Sequence, residues 1–431
     1  LKENLTTPSE GMVNYTTKDY CSGWMQGDIK GAWLSDTDTT SLVGTELVTN
    51  GTFDTNTTGW TIQGSATLTV TAGVLEIVPI TVYGGIYQTF SVEAGKTYTV
   101  SLNEVSGIGN IYISDYNAFS GNLFETVLTG TTSATVTATT NFLRIDITGT
   151  AYNTVEVDNV SVRLADADRS VNNNGLQTFG TVTKTAVATG AELMAYSGFS
   201  ASNYLHQPYN ADLDFGTGDF HVMGWVKRTT ANNETLFNRQ TSGDAVSVGF
   251  KIQHRSDDTL LMQTYNATAS NGFSTLKVTS GNGWGFVCVR VTSSGTNVTW
   301  NVNGIEDSTD VITARNVTNA AAVTRIGVNV AGSPQYSGSL ALWRIGAGAP
   351  SAEQIKEIYE AEKPLFQDNA ACTLTSTTSA VNALAYDEDT ELLHVAGVTN
   401  MDTFKGLQRV ASEVGVYTSL AAGNGSVHKG N

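Results

Sequence analysis

The chain has 431 residues, with 23 Lys and Arg against 40 Asp and Glu and a formal net charge of -17. That length exceeds what one hydrophobic core normally serves, so two or three domains are expected; the acidic balance, with no Lys/Arg-rich block, excludes nucleic acid and anionic membrane surfaces as default partners. No run of about 20 apolar residues is present to span a bilayer as a helix, and charged residues are only 15 % of a chain rich in Gly, Thr, Ser, Asn and Val, a composition suited to strands joined by tight turns.

Residues 1–44 open on LKEN, without an initiating Met or a charged-then-apolar leader, and read as trimmed or as part of something longer. Trp24 and Trp33 flank a Gly-Asp-Ile-Lys-Gly segment that is extended, too short to own a core, and expected to pack on another module or subunit. Residues 45–165 hold eight short alternating segments, among them SATLTVTA, VLEIVP, GIYQTFSV, KTYTVSLNEV, FLRIDIT and VEVDNVSVRL, separated by Gly, Asn and Thr. That spacing predicts a two-sheet jelly roll with Leu, Val, Ile, Tyr and Phe inside.

Residues 166–175, DADRSVNNNG, offer no apolar face and read as a linker. Residues 176–365 repeat the strand style in FHVMGWVKRT, GFVCVRVT, TNVTWNVNG and GSLALWRIG, and Asn303-Gly304 is a hairpin signal. One helix is expected: Ser351 caps it, Gln354 completes a capping box, Ile355, Ile358 and Tyr359 form its stripe, and Pro364 stops it. Residues 366–431 contain two alternating strands around an acidic turn at residues 387–390; a lone hairpin is marginal in water, so it needs the first 44 residues, a second subunit or further sequence as a neighbour.

No catalytic constellation is visible. Cys21, Cys288 and Cys372 are far apart, and His206, His221, His254, His394 and His428 form no ligand spacing. Retaining glycoside hydrolysis needs two carboxylates about 5 Å apart, which on one strand means acids at alternate positions; no inner strand of residues 176–350 is read as supplying such a pair. The cluster Asp387, Glu388, Asp389 and Glu391 reads as a solvated turn. The chain is therefore expected not to be an enzyme.

Three resemblances add to this reading. LVTNGTFDTNTTGW at 47–60, GVLEI at 73–77, YQTFSVEAGKTYTVSL at 87–102 and VEVDNVSVRL at 155–164 resemble the carbohydrate-binding jelly rolls related to galactose-binding domains. That likeness implies a structural Ca²⁺ near Asn50, Asp54 and Asp158, hard oxygen ligands suited to calcium. It also implies a sugar site with Tyr83, Tyr87, Tyr112 and Tyr116 as stacking platforms. LDFGTGDFHVMGWVKR at 213–228 and GSLALWRIGAGAPSAEQIKEIYEAEKP at 338–364 look like a concanavalin A-like or laminin-G-like sandwich. This sequence has Gly338-Ser339-Leu340-Ala341-Leu342 where several relatives carry a calcium-binding Asp, which weakens any metal or lectin inference at that edge.

GWMQGDIKGAWLSDTD at 23–38 and AYDEDTELLHVAGV at 385–398 are similar to segments of bacteriophage tail and fibre proteins, where such hairpins recur as propeller-like blades. The expectation is an all-β protein of two antiparallel β-sandwich (jelly-roll) domains with small flanking β segments and one short helix. Its expected role is virion structure and adhesion, as a tail fibre or baseplate-associated component contacting other virion subunits and host-surface glycan. It is expected to be a homo-oligomer, a trimer by analogy with fibres, with no nucleic acid and no membrane insertion. The alternatives are a secreted or cell-surface bacterial carbohydrate-binding adhesin, and a purely structural spacer.

Overall fold

Alternating segments bury one face each, and the chain solves that requirement with paired sheets. The computed structural model describes residues 28–115, 122–150, 152–170, 172–242, 247–279, 281, 283–370, 381–397, 399–406, 408–423 and 425–430. These residues are predominantly β, with a single α-helix among them, as the alternation predicts.

The first sandwich stacks two sheets. One has five strands in the order Thr61–Gln63, Gly85–Ser91, Phe142–Gly149, Gly109–Ser114, Asn122–Val127. The other pairs Ala66–Thr71 with Val74–Pro79, then Val155–Asp166, Thr97–Gly107 and Thr131–Thr137. Between them lie Leu75, Ile77, Ile86, Val100, Ile111, Ile113, Leu143, Ile145, Ile147 and Val157, all buried. Residues 61–63 and 122–127, absent from the expected strands, are the additional members; the first is three residues long and both are mostly exposed or half-buried, so neither carries a clear period-two signal.

The second sandwich faces one sheet built around Phe220–Lys227, Trp284–Thr292, Asn297–Val302 and Ser339–Ala347 against another that runs from Leu176–Ala186 through Tyr204–Gln207, Val323–Ile326, Glu234–Gln240, Gly249–His254 and Leu260–Asn266 to Thr268–Phe273. Val302 and Ile305 pair directly across Asn303 (φ 51°) and Gly304 (φ 76°), the two left-handed residues that a type I′ hairpin requires. The helix spans Ala352–Glu362 with the Ser351/Gln354 capping box formed in both directions. Its Ile355 and Ile358 join a second buried cluster with Met223, Trp225, Phe286 and Cys288. Glu362 locks the helix down: it accepts a 2.6 Å bond from the Trp225 indole and pairs with buried Arg344 at 2.6 Å. Pro364 lies in the 3-10 turn Lys363–Phe366 that follows.

The described part of the N-terminal segment completes the second sandwich. Asp28–Trp33 runs antiparallel to Ser339–Ala347, Leu42–Gly44 pairs with residues 180–182, and Trp33 and Leu34 are buried in the second core. Trp24, Cys21 and Cys372 lie outside the described residues.

Residues 166–170 and 172–175, within the stretch read as a linker, form a hydrogen-bonding hub. Ala165 and Asp166 pair with Gln177 and Leu176 across a hairpin. Buried Asp166 accepts from Leu34 N (2.7 Å) and the Tyr196 hydroxyl (2.6 Å). Asp168 accepts from the backbone of Ala32, Ser170 and Asn174, each at 2.8 Å. A carboxylate that answers backbone N–H groups can be buried without an apolar partner.

Past the helix, Val381–Asp387, Leu392–Gly397, Asn400–Lys405 and Gln408–Val414 form a four-stranded antiparallel meander, and Ser419–Gly423 pairs with Ser426–Gly430. The expected hairpin thus has the strands after it as its neighbours, with Ala396, Met401 and Tyr417 buried at their centre.

Candidate functional site

In an antiparallel sheet directly opposed residues point to the same side. In the five-stranded sheet Ile86, Ile147 and Ile111 are opposed and face the core. The next row, Thr61–Tyr87–Asp146–Tyr112–Glu125, therefore faces outward, and so, past the core-facing row of Ile145 and Ile113, does Thr89–Arg144–Ser114. Three of the expected tyrosines fall on or beside this face: Tyr87 and Tyr112 flank Asp146, and Tyr83, in the turn before the strand, is 53 % exposed. Tyr116 lies outside the described residues.

The centre of the face is an ion pair that the sequence reading did not single out. Arg144 and Asp146 stand two positions apart on Phe142–Gly149 and meet through two bonds, Nε to Oδ2 at 2.8 Å and NH2 to Oδ1 at 2.6 Å. Arg144 also donates to Gln63 Oε1 at 2.8 Å, and its guanidinium lies 3.7 Å from the centre of the Tyr87 ring. Burial raises the Asp146 carboxyl above its ordinary value even against the opposing pull of Arg144.

The tyrosines are not equivalent. Tyr87 is half-buried with one ring face occupied by Arg144. Tyr112 is buried, its hydroxyl accepts from Asn110 Nδ2 at 3.0 Å, and burial raises its pKa. Asn110 Oδ1 is buried without a hydrogen-bond partner. The alternation R-x-D in FLRIDIT was the available signal, since residues two apart on a strand share a face.

Asn50, Asp54 and Asp158 come from two segments that do meet: Val160 N donates to Gly51 O at 2.9 Å. The Asn50 amide nitrogen and the Asp158 carboxylate also bond within their own turns. The Asn50 amide donates to Asn56 O at 2.7 Å and Thr58 O at 3.3 Å, while Asp158 accepts from the backbone and side chain of Asn159 at 2.6 and 2.7 Å. Among the described residues no group of three or more His, Cys, Asp or Glu is placed to hold a metal.

A second concavity, about 580 Å³, opens between the two sandwiches and includes Asp36, Asp38, Lys96, Asp166, Asp168 and Arg169 in its lining. Its four carboxylates are all engaged. Asp36 pairs with Lys184 at 2.8 Å, Asp38 pairs with Lys96, and Asp166 and Asp168 hold the hub described above. Burial pushes Asp166 up to about 6. Cys288 is buried and free, its thiol pushed up to about 12 by burial.

Residues 199–356 match the laminin-G family model described as "Concanavalin A-like lectin/glucanases superfamily". No curated protein matches the chain. Among solved structures, domain 4 of an extracellular arabinanase from Geobacillus stearothermophilus, in complex with arabinotriose, is 19 % identical with a TM-score of 0.36, covering 45 % of this chain and 92 % of that one. The botulinum neurotoxin serotype G binding domain is 12 % identical with a TM-score of 0.37, covering 59 % of this chain and 63 % of that one. A heptameric pentraxin from Limulus polyphemus is 17 % identical with a TM-score of 0.31, covering 39 % of this chain and 81 % of that one. The chain carries a concanavalin A-like, lectin-type β-sandwich fold.

Proposed function

We propose that this chain is a non-catalytic glycan-binding protein that works outside the cell, a secreted or surface-held adhesin or carbohydrate-binding accessory module. We assign its sugar to the outer face of the five-stranded sheet. The observation that carries the reading is the grouping there of exposed Tyr83, the Tyr87 ring and the Arg144–Asp146 pair, with the unanswered Asn110 Oδ1 beside them. A shallow sugar site needs an aromatic surface for the apolar side of a pyranose and fixed polar groups for its hydroxyls. A sugar hydroxyl would also answer the orphaned acceptor. The family description matched by residues 199–356 names lectins together with glucanases, and its lectin part supports the same direction.

The absence of catalysis belongs to this proposal. Its support is that the four aspartates of the inter-module cleft are committed to Lys184, Lys96, Tyr196 and backbone donors, whereas a hydrolase needs one carboxyl ready to give a proton and another ready to attack. A structural Ca²⁺ at Asn50, Asp54 and Asp158 is also part of the proposal, supported by the Val160–Gly51 contact that joins the two segments; the ion would draw Asp158 away from Asn159.

The narrower reading, a homo-oligomeric and trimeric tail-fibre or baseplate component of a virion, is supported by the phage-like segments 23–38 and 385–398. Tail and capsid genes beside this one would favour it; transporters and polysaccharide hydrolases would favour the adhesin. Binding itself is tested on a glycan array with the full chain and a Tyr83→Ala/Tyr87→Ala variant. Retention of defined glycans that drops at least tenfold in the variant is expected, and a wild-type chain that retains none would overturn the proposal.

A further inference from the structure

The long sheet of the second sandwich has an outer face of its own. Leu205, Ile326, Phe237, Ile252 and Met262 form its core-facing row. The adjacent row crosses seven strands as Gln177–His206–Arg325–Asn238–Lys251–Gln263–Asn271, polar at every position and pointing away from the core. None of the described residues that alternate onto this face is acidic, in a chain with 40 Asp and Glu.

Six Lys and Arg are buried among the described residues: Arg144, Lys184, Arg228, Arg239, Lys251 and Arg344. Five of them have a carboxylate at 2.5–2.8 Å: Asp146, Asp36, Asp258, Asp214 and Glu362. Lys251, 8 % exposed, has none; its nearest charge-compensating neighbour is the Tyr265 ring, 5.7 Å from Nζ. Two strands away, half-buried Arg325 has only the carbonyl of Val330 (2.8 Å) and the Tyr204 ring (4.3 Å), and its Nε is buried without a partner. His206 Nδ1, next in the row, is also buried and unanswered. Two buried nitrogens without partners, His206 Nδ1 and Arg325 Nε, beside an ammonium that no carboxylate answers, fit a row that a ligand completes. Asn238 between the cations is fixed by Val330 N (3.3 Å) and Gln240 (2.8 Å), so it spaces them at roughly 10 Å, two inter-strand distances, which their long side chains can bridge.

We propose that this face binds an acidic saccharide, a sugar bearing a carboxylate, with the carboxylate seated between Arg325 and Lys251. The Arg fork matches a carboxylate in two bonds, and the ammonium supplies a point charge. The Phe179–Tyr204 stack at the row's end (4.8 Å between centres) is capped by Arg163 (4.1 Å) and by Arg325 (4.3 Å), which holds the Arg325 guanidinium in place. This site is independent of the Tyr87 face.

The test is titration of the full chain with trigalacturonate, its methyl ester, sodium acetate and sodium sulfate at matched ionic strength. It compares wild type with Lys251→Met, Arg325→Met and Tyr87→Ala. Trigalacturonate should bind wild type and Tyr87→Ala alike, at least tenfold more weakly in Lys251→Met and in Arg325→Met, and the methyl ester should not compete. Lys251→Met should melt no lower than wild type, since it removes an ammonium with no carboxylate partner. Failure of trigalacturonate to bind, equal binding of the ester, binding by either cation variant as tight as by wild type, or a response to acetate or sulfate as strong as to the saccharide would each overturn the proposal. Loss of neutral-glycan binding in Tyr87→Ala alone would concern only the first face.

Discussion

Tyr196 donates its hydroxyl to Asp166 Oδ1 at 2.6 Å, tying the end of the first sandwich's last strand to a residue buried in the core of the second. With Leu34 N on the other oxygen, this carboxyl holds three separate stretches of chain. Tyr196→Phe removes the donor and leaves a buried acceptor short of a partner, at a cost of about 1–3 kcal/mol. Urea unfolding should show a lower midpoint for the second sandwich, and an unchanged midpoint would mean the contact holds nothing.

Arg144 and Asp146 make a second dependent pair. Arg144→Met leaves Asp146, 1 % exposed, as a buried charge alone, and breaking such a pair from one side typically costs about 3–5 kcal/mol. The double variant Arg144→Met/Asp146→Leu should recover most of that loss. Equal destabilisation by single and double variants, read from denaturation midpoints, would show that the ion pair is not the reason.

Acid should unfold the chain earlier than its surface acidity alone explains. Burial, with help from nearby Arg side chains, lowers His206 to about 3 and His221 and His254 to about 4 from 6.5. Between about pH 6.5 and 4 the unfolded chain takes up protons that the folded chain refuses, so stability rises with pH across that window and is lost on acidification. Asp166, raised to about 6 from 3.8, acts oppositely: it lends stability at low pH that disappears as pH rises through 6. Three imidazoles outweigh one carboxyl at about 1.4 kcal/mol per unit per group. The melting temperature should therefore fall by several degrees or more from pH 7 to 4.5, and a flat profile would contradict the buried neutral imidazoles.

Local signals were legible in the sequence and distant ones were not. Asn303-Gly304 and the Ser351/Gln354 box need only neighbouring residues, and both form as read. The strands at residues 61–63 and 122–127 are short or half-exposed and gave no period. Asp166 and Asp168 find donors at Leu34 and Ala32, more than 130 positions away, so a polar run looked like an open linker. The Arg144–Asp146 pair was written in the alternation of one strand, but its burial depends on neighbouring chain. The Arg325–Lys251 row exists only once seven strands are in register.

Calcium makes a separable expectation. Should Asn50, Asp54 and Asp158 hold Ca²⁺, chelation would lower the melting temperature of the first sandwich, and Asp158→Ala would abolish the response. A wild-type melt indifferent to chelator and to millimolar Ca²⁺ removes the ion from the account.

The central claim concerns the outer side of the five-stranded sheet around Tyr83, Tyr87 and Arg144, and chemical-shift mapping of the full chain against a panel of neutral oligosaccharides addresses it most directly. Shifts confined to Tyr83, Tyr87, Asn110, Arg144 and Asp146, saturating with one sugar class, are predicted. No saturable shift with any sugar, or shifts only elsewhere on the molecule, would contradict it.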